Sequence, residues 1–224
     1  MLLCALTALL LTLPTAPAHA GDQASAASKT SATKGTSKKQ STKKSKSKRS
    51  SSKKTKRGSR SRSSRSSAGC VDANLTPTAH NLERVRRATL CLLNRERTKR
   101  GRVKLRAHPT LRKVARSYAS TMVKQRFFGH VSPSGSTMLR RVRSSSYLRG
   151  SLRRWELGEN LGWATGGQAT PSAMVKAWMR STGHRRNILE RSYREIGIGI
   201  VRGAPKDVDG GVTYVTEFGL RVRR

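Results

Sequence analysis

Few residues in this chain combine the chemistry and the context needed to act on another molecule. Glu159 is the first. It lies in Trp155-Glu-Leu-Gly-Glu-Asn-Leu-Gly-Trp163, where Leu157 and Leu161 share its face of a regular strand. A carboxylate on an apolar face must find a histidine, a metal or backbone amides, or the strand must kink it out of register. Gly158 beside it would permit a bulge. His130 is the second, in Phe127-Phe128-Gly129-His130, a turn after an amphipathic stretch. His184 is the third, in Trp178-Met-Arg-Ser181-Thr-Gly-His184-Arg-Arg-Asn187, where a helix breaks. Both histidines are read as loop positions, which favour chemistry over packing. Two neutral imidazoles and one carboxylate can hold Zn²⁺ and leave a position open for water. Without metal, the same groups can form a hydrogen-bonded network. Ser132, Ser134 and Ser181 are nearby hydroxyls, but none stands in a GxSxG or SxxK setting.

The surrounding elements follow from periodicity. Residues 80–100 run without Pro or Gly to Gly101, with Val85, Ala88, Leu92 and Arg95 at helical spacing. Pro109-Thr110 opens a second helix carrying Leu111, Val114, Ala115, Tyr118, Ala119 and Met122 on one face. Residues 137–145 suit a short third helix. Thr170-Pro171 caps another, containing Ala173, Met174, Ala177, Trp178 and Ser181. Ile196, Ile198 and Ile200 alternate with Gly197 and Gly199, a strand with one bulky and one smooth face. Asp209-Gly210-Gly211 turns into a last strand over 212–220. Helices first and strands last predict an α+β arrangement around a small, largely antiparallel sheet.

The whole chain divides by composition. Its 224 residues hold 48 Lys+Arg against 11 Asp+Glu, a formal charge of +37, and only 34% are hydrophobic. Residues 1–20 read as a signal peptide. A short apolar run ends in Ala18-His19-Ala20, with small residues at −3 and −1 before Gly21. Residues 21–69 are Ser/Lys/Arg-rich, with 16 basic residues between Lys29 and Arg65 and no aromatic. Such a segment cannot bury enough surface to order itself and is expected to be a disordered arm. Residues 70–224 keep every aromatic residue and suffice for one core. No run is long enough to span a bilayer. Once the leader is removed, Cys70 and Cys91 remain. In an oxidising compartment they form one bridge; otherwise they are two thiols.

Five stretches, taken in order, resemble a known family. FFGHVSPSG, GEN at 158–160, WMRSTGHRRNIL at 178–189, EIGIGI at 195–200 and TYVTEFG at 213–219 are similar to bacterial members of the CAP superfamily. Cysteine-rich secretory proteins, venom allergens and plant pathogenesis-related proteins belong to it. The opening CLLNRERTKRGRVKL, 91–105, resembles the first helix of that bacterial branch. The resemblance implies an α-β-α sandwich, secretion and a shallow cleft. In the animal and plant branches two histidines and two acids line the cleft and can bind a divalent metal. His130 matches the first histidine and Glu159 the GEN glutamate. Tyr214 stands where those branches have their second histidine, Glu217 where they have a glutamine, and Ser181 where they have the second glutamate. His184 is the bacterial histidine that would supply a second imidazole, with Asn187 close by. The expected cleft is thus His130, Glu159, His184, Tyr214, Ser181 and Asn187, with His130, His184 and Glu159 as ligands if zinc binds.

The charge points to partners. The arm over 29–65 has no aromatic for base stacking, and export argues against a nucleic-acid role. Anionic envelope polymers or lipid headgroups are the expected partners, with a small ligand or metal in the cleft. The alternative to a binding module is a metal-assisted hydrolase acting on an envelope polymer or peptide.

Overall fold

The computed structural model describes residues 69–224. The signal-peptide reading of 1–20 and the arm reading of 21–69 fall almost wholly outside the described residues. The bridge expected at the domain's edge is present: Cys70 bonds Cys91 across 21 residues. Closing a loop of that length contributes about 3 kcal/mol in the chain-entropy picture.

In chain order the elements are α1 Leu82–Thr98, β1 Arg106–Ala107, α2 Pro109–Lys124, α3 Met138–Arg143 and β2 Leu152–Thr165. They continue with α4 Pro171–Arg180, α5 Thr182–Leu189, β3 Glu195–Arg202 and β4 Gly211–Arg223. The sheet order is β1-β3-β4-β2. β4 pairs antiparallel with both β2 and β3, and the two-residue β1 runs parallel to β3. The α+β sandwich read from the sequence is the observed architecture: α1, α4 and α5 cover one face, α2 and α3 the other.

The two faces of β3 explain the layering. Ile196, Ile198 and Ile200 pack with Val85, Leu92, Trp178 and Phe218. Gly197 and Gly199 face α2 so closely that a Cβ would lie 2.0 Å from the Leu111 carbonyl carbon and 2.2 Å from the Arg116 nitrogen. The smooth face therefore receives the helix backbone itself.

Three sequence expectations change. Arg95, counted on the inner face of α1, is exposed; the buried arginine is Arg97, with 0% exposure. The 3.6-residue period rotates so that 85, 88, 89, 92, 93 and 97 face inward. Gly158 makes no bulge, because pairing is regular there and the register shift lies between Leu152 and Arg154. A Cβ at Gly158 would instead stand 2.3 Å from the Tyr193 hydroxyl. The helix expected to end near Ser181 restarts there as α5, so His184 is helical.

Arg97 joins α1 to the segment between α5 and β3. Its Nε donates to the Val103 carbonyl at 2.8 Å, and its Nη1 to Ile188 and Glu190 at 2.7 and 2.9 Å. Nη2 donates to Tyr193 at 3.2 Å. Burial, with Arg194 and Arg102 adding repulsion, pulls its pKa down to about 10. Arg97→Leu leaves those carbonyls without their donor, and each buried orphan costs roughly 1–3 kcal/mol. The expected loss in urea unfolding is roughly 3 kcal/mol or more. A shift below about 1 kcal/mol would show that the carbonyls find other donors.

Candidate functional site

Glu159 is where the sequence placed it. Leu157 and Leu161 lie on its face of β2, against α3 and α2 respectively. Its side chain is 2% exposed, and both oxygens are engaged. His130 Nδ1 lies 2.7 Å from Oε1, and Arg141 Nη2 donates to Oε2 at 2.6 Å. The histidine half of the expected site is therefore assembled. In a neutral ring, Nδ1 carries the proton toward the carboxylate and Nε2 keeps its lone pair. His130 is also the wet edge of the group, with its side chain 38% exposed.

Arg141 was not anticipated, yet it organises the site. It belongs to α3, whose short helix is started by Thr137 accepting from the Arg140 N–H. Nη1 donates to the Ser136 carbonyl at 2.8 Å and to the His130 carbonyl at 3.3 Å. The guanidinium carbon lies over the Tyr118 ring, 3.2 Å from its centroid. Tyr118 in turn donates its hydroxyl to the Gly129 carbonyl at 2.6 Å, fixing the turn that carries His130. Burial pushes the Tyr118 phenol up to about 12 against the opposing pull of Arg141, so it stays a donor. Sequence reasoning missed Arg141 because it sits in an Arg-rich run, 140–143, with no feature that separates it from its neighbours.

Glu217 is the second addition. It lies opposite Glu159 in the β2–β4 register and is 0% exposed. Neither of its oxygens has a hydrogen-bond partner, and the Arg141 Nε is likewise buried without one. The 157, 159 and 161 carbonyls point to the free edge of β2, as their bonds to side chains show. The Glu159–Glu217 pair is therefore of the non-hydrogen-bonded kind, the closer of the two antiparallel spacings. Burial above all, then the charge and contact of Glu159, raise the Glu217 pKa well above the ordinary carboxylate range, with Arg141 opposing. A proton on Glu217 relieves the repulsion between the two facing carboxyls. The alternation of Thr213, Val215 and Glu217 sets the three on one face of β4, but only the register with β2 brings the acid opposite Glu159.

His184 does not join this group. Asn160 follows Glu159 on β2, so its side chain points the other way. It donates to the His184 carbonyl at 3.1 Å. The His184 ring lies beside Trp178, centroids 6.5 Å apart. Asn187 is structural as well as near: its amide donates to the Glu159 carbonyl and to Asn160 Oδ1, both at 3.0 Å. Ser181 is the junction of α4 and α5, in the same layer as His184. Tyr214 is fully buried on the α4 side, where its hydroxyl donates to the Ala169 carbonyl at 2.7 Å. Ser132 and Ser134 contact each other at 2.9 Å.

The zinc expectation needed His130, Glu159 and His184 together. Among the described residues no group of three His, Cys, Asp or Glu side chains is placed to hold a metal ion. The donor chemistry agrees: Glu159 already holds a fixed guanidinium and an imidazole, and His184 belongs to the opposite layer. The residues present do not fit the metal.

A three-layer α-β-α sandwich with a histidine–glutamate pair on the inner face of the edge strand defines the class. The cysteine-rich secretory protein (CAP) family model matches residues 90–218, and the chain belongs to that family. It is 37% identical over 110 residues to "Uncharacterized protein YkwD" of Bacillus subtilis, covering 49% of this chain and 40% of that one. It is 28% identical over 113 residues to "Uncharacterized membrane protein YlbC" of the same organism, covering 50% and 30%. The chain thus matches less than half the length of these curated relatives. Among solved structures it is similar to an outer surface protein of Borrelia burgdorferi, with TM-score 0.49, 22% identity and coverage of 59% and 90%. An extracellular SCP-domain protein of Bacillus anthracis gives TM-score 0.47, 21% identity and coverage of 66% and 45%.

The acid pair has a pH signature. A carboxyl with a raised folded pKa adds stability below its unfolded value and loses it as pH rises through the folded value. Glu217→Gln stays neutral at every pH and so removes this loss. Its advantage over the parent should be absent near about pH 4. It should grow by about 1.4 kcal/mol per pH unit until the pH reaches the folded pKa. Thermal melts from about pH 4 to about pH 8 read this directly, and parallel curves would mean Glu217 ionises normally.

Proposed function

We propose that this chain is an extracellular binding module, not a hydrolase. Its His130 cleft recognises a small ligand, while its basic arm and surface hold it to anionic envelope material. The observation that carries the reading is the closed set of bonds around Glu159. Arg141 neutralises the carboxylate, and the side-chain hydrogen bond of His130 runs to that carboxylate rather than to a hydroxyl. Catalysis requires a base aimed at a nucleophile or an activated water. Ser132 and Ser134 bond each other rather than the imidazole. What remains available is the Nε2 lone pair of a half-exposed histidine, which suits a hydrogen-bond donor on a ligand.

The charge supports the second half. Residues 70–224 alone carry 32 Lys+Arg against 10 Asp+Glu, and several acids are held in internal pairs. Localisation outside the cytoplasm rests on the leader-like residues 1–20 and on membership of a secretory family.

One observation keeps the hydrolase reading in play. A carboxylate bonded to Nδ1 of a histidine is also how a general base is oriented. Incubating the chain and His130→Ala with isolated cell-envelope material separates the two readings. A binding module co-sediments in low salt, is released as salt rises, and frees no soluble fragments. Fragment release that disappears in His130→Ala would establish the hydrolase instead.

A further inference from the structure

The open end of the β2–β4 ribbon carries a concentration of arginines that the centre at Glu159 does not use. β2 begins with a register shift: Leu152 pairs with Arg223, but Arg154 pairs with Val222, leaving Arg153 as the extra residue. Such bulges re-aim side chains at strand ends. The Arg224 N–H donates to the Ser151 carbonyl at 3.3 Å, so the two chain segments stay joined beyond the bulge. Arg153 and Arg223 are exposed there, as is Arg149 in the loop from α3. Arg143 reaches the same end from α3, its guanidinium 5.8 Å from the Trp155 ring centroid. Trp155 itself pairs with Arg221.

The acids at this end are already occupied. Glu156 accepts from Arg154 and from the Ser192 hydroxyl. Glu195 accepts from Arg221 at 3.1 Å and from the Tyr147 hydroxyl at 2.7 Å. Against the raising effect of burial, these bonds hold the Glu195 pKa below its ordinary value, so it stays an anion for Arg221. The outer arginines are thus left facing solvent on a rigid frame. The described large hydrophobic residues that are exposed are Val71, Val103, Phe128, Val131 and Val208. None belongs to this end of the ribbon, where Leu148, Leu152, Trp155 and Val222 are only partly exposed, so no large apolar side chain stands out there to enter a lipid interface. Guanidinium groups fork onto phosphate oxygens. An array of them along a ribbon end suits a chain of phosphates rather than a membrane.

We propose that the bulged end of β2–β4, with Arg143, Arg149, Arg153 and Arg223, is a docking surface for a linear phosphate-bearing polymer. The proposal rests on the reading of this chain as one held to anionic material, and gives that reading a place on the folded domain. Long-chain inorganic polyphosphate is the probe, titrated against the full chain across a sodium chloride series. R143Q/R149Q/R153Q/R223Q is compared with R95Q/R116Q/R180Q/R202Q, which removes the same charge from exposed positions elsewhere. With roughly 0.7 of slope in log K against log salt per phosphate contact, losing four contacts should lower the slope by about 2–3. The affinity of the first variant at ~0.15 M salt should fall about tenfold or more. The control variant should keep most of both. Equal losses in the two variants would overturn the proposal, leaving only net charge. Selective loss on anionic phospholipid vesicles but not on polyphosphate would overturn it in favour of a membrane. If the unsubstituted chain binds neither probe, the broader reading falls with it; binding with equal variants removes only this surface.

Discussion

Two carboxylates face each other inside this domain, and one cation is buried with them. That imbalance dictates the architecture around the sheet. Glu159 and Glu217 are fixed opposite each other by the β2–β4 register, so neither can retreat without unpairing the strands. A buried anion needs a partner, and Arg141 reaches it only because α3 is set against β2. Arg141 is itself held by two carbonyls and by the face of Tyr118. Tyr118 comes from α2, which can lie that close because β3 presents Gly197 and Gly199 to it. The smooth strand, the placement of α2, the short α3 and the turn at His130 are thus linked through one ion pair. Glu217, with no cation of its own, is relieved by a proton.

The opposite layer solves a different problem. β2 is an edge strand, and its outward carbonyls would be open to pairing with another chain. Side chains close three in a row: Tyr193 bonds the Leu157 carbonyl, Asn187 that of Glu159, and Trp178 that of Leu161. The 178–189 stretch, with Tyr193 just beyond it, therefore reads as an edge clamp. Asn160 adds the cross-link from the strand to the His184 carbonyl. Gly158 admits the Tyr193 ring. The three residues of Gly158-Glu159-Asn160 thus act separately, as the point of close approach, the buried anion and the tie to α5.

What was legible in the sequence were features that local periodicity controls. The alternation of 157, 159 and 161 placed Glu159 on an apolar face, and the Ile/Gly alternation gave β3 its two sides. The count of cysteines and an expected oxidising compartment left a bridge or two thiols, and the structure shows the bridge. Features set by distant elements were not legible. Arg141 is one arginine among many until α3 is seen against β2, and Glu217 becomes a site residue only through register. His184 was drawn into the cleft by reading a helix break as a loop position, and Tyr214 by resemblance to relatives. Strand parity and the restart of the helix at Ser181 put both in the other layer. A one-residue step along a strand is enough to move a side chain across the sheet.

The same parity bears on what the site can do. Had Asn160 and Glu159 exchanged places, the carboxylate would lie beside α5, and an imidazole from that helix would be its natural partner. As built, the acid faces α3, where arginine is the only nearby cation among the described residues, and the site becomes a salt bridge with a histidine at its rim. A guanidinium cannot lose its proton in ordinary conditions, so it supplies a fixed positive charge where a metal would supply an exchangeable one. His130 therefore meets a carboxylate already paired with Arg141 rather than a lone anion.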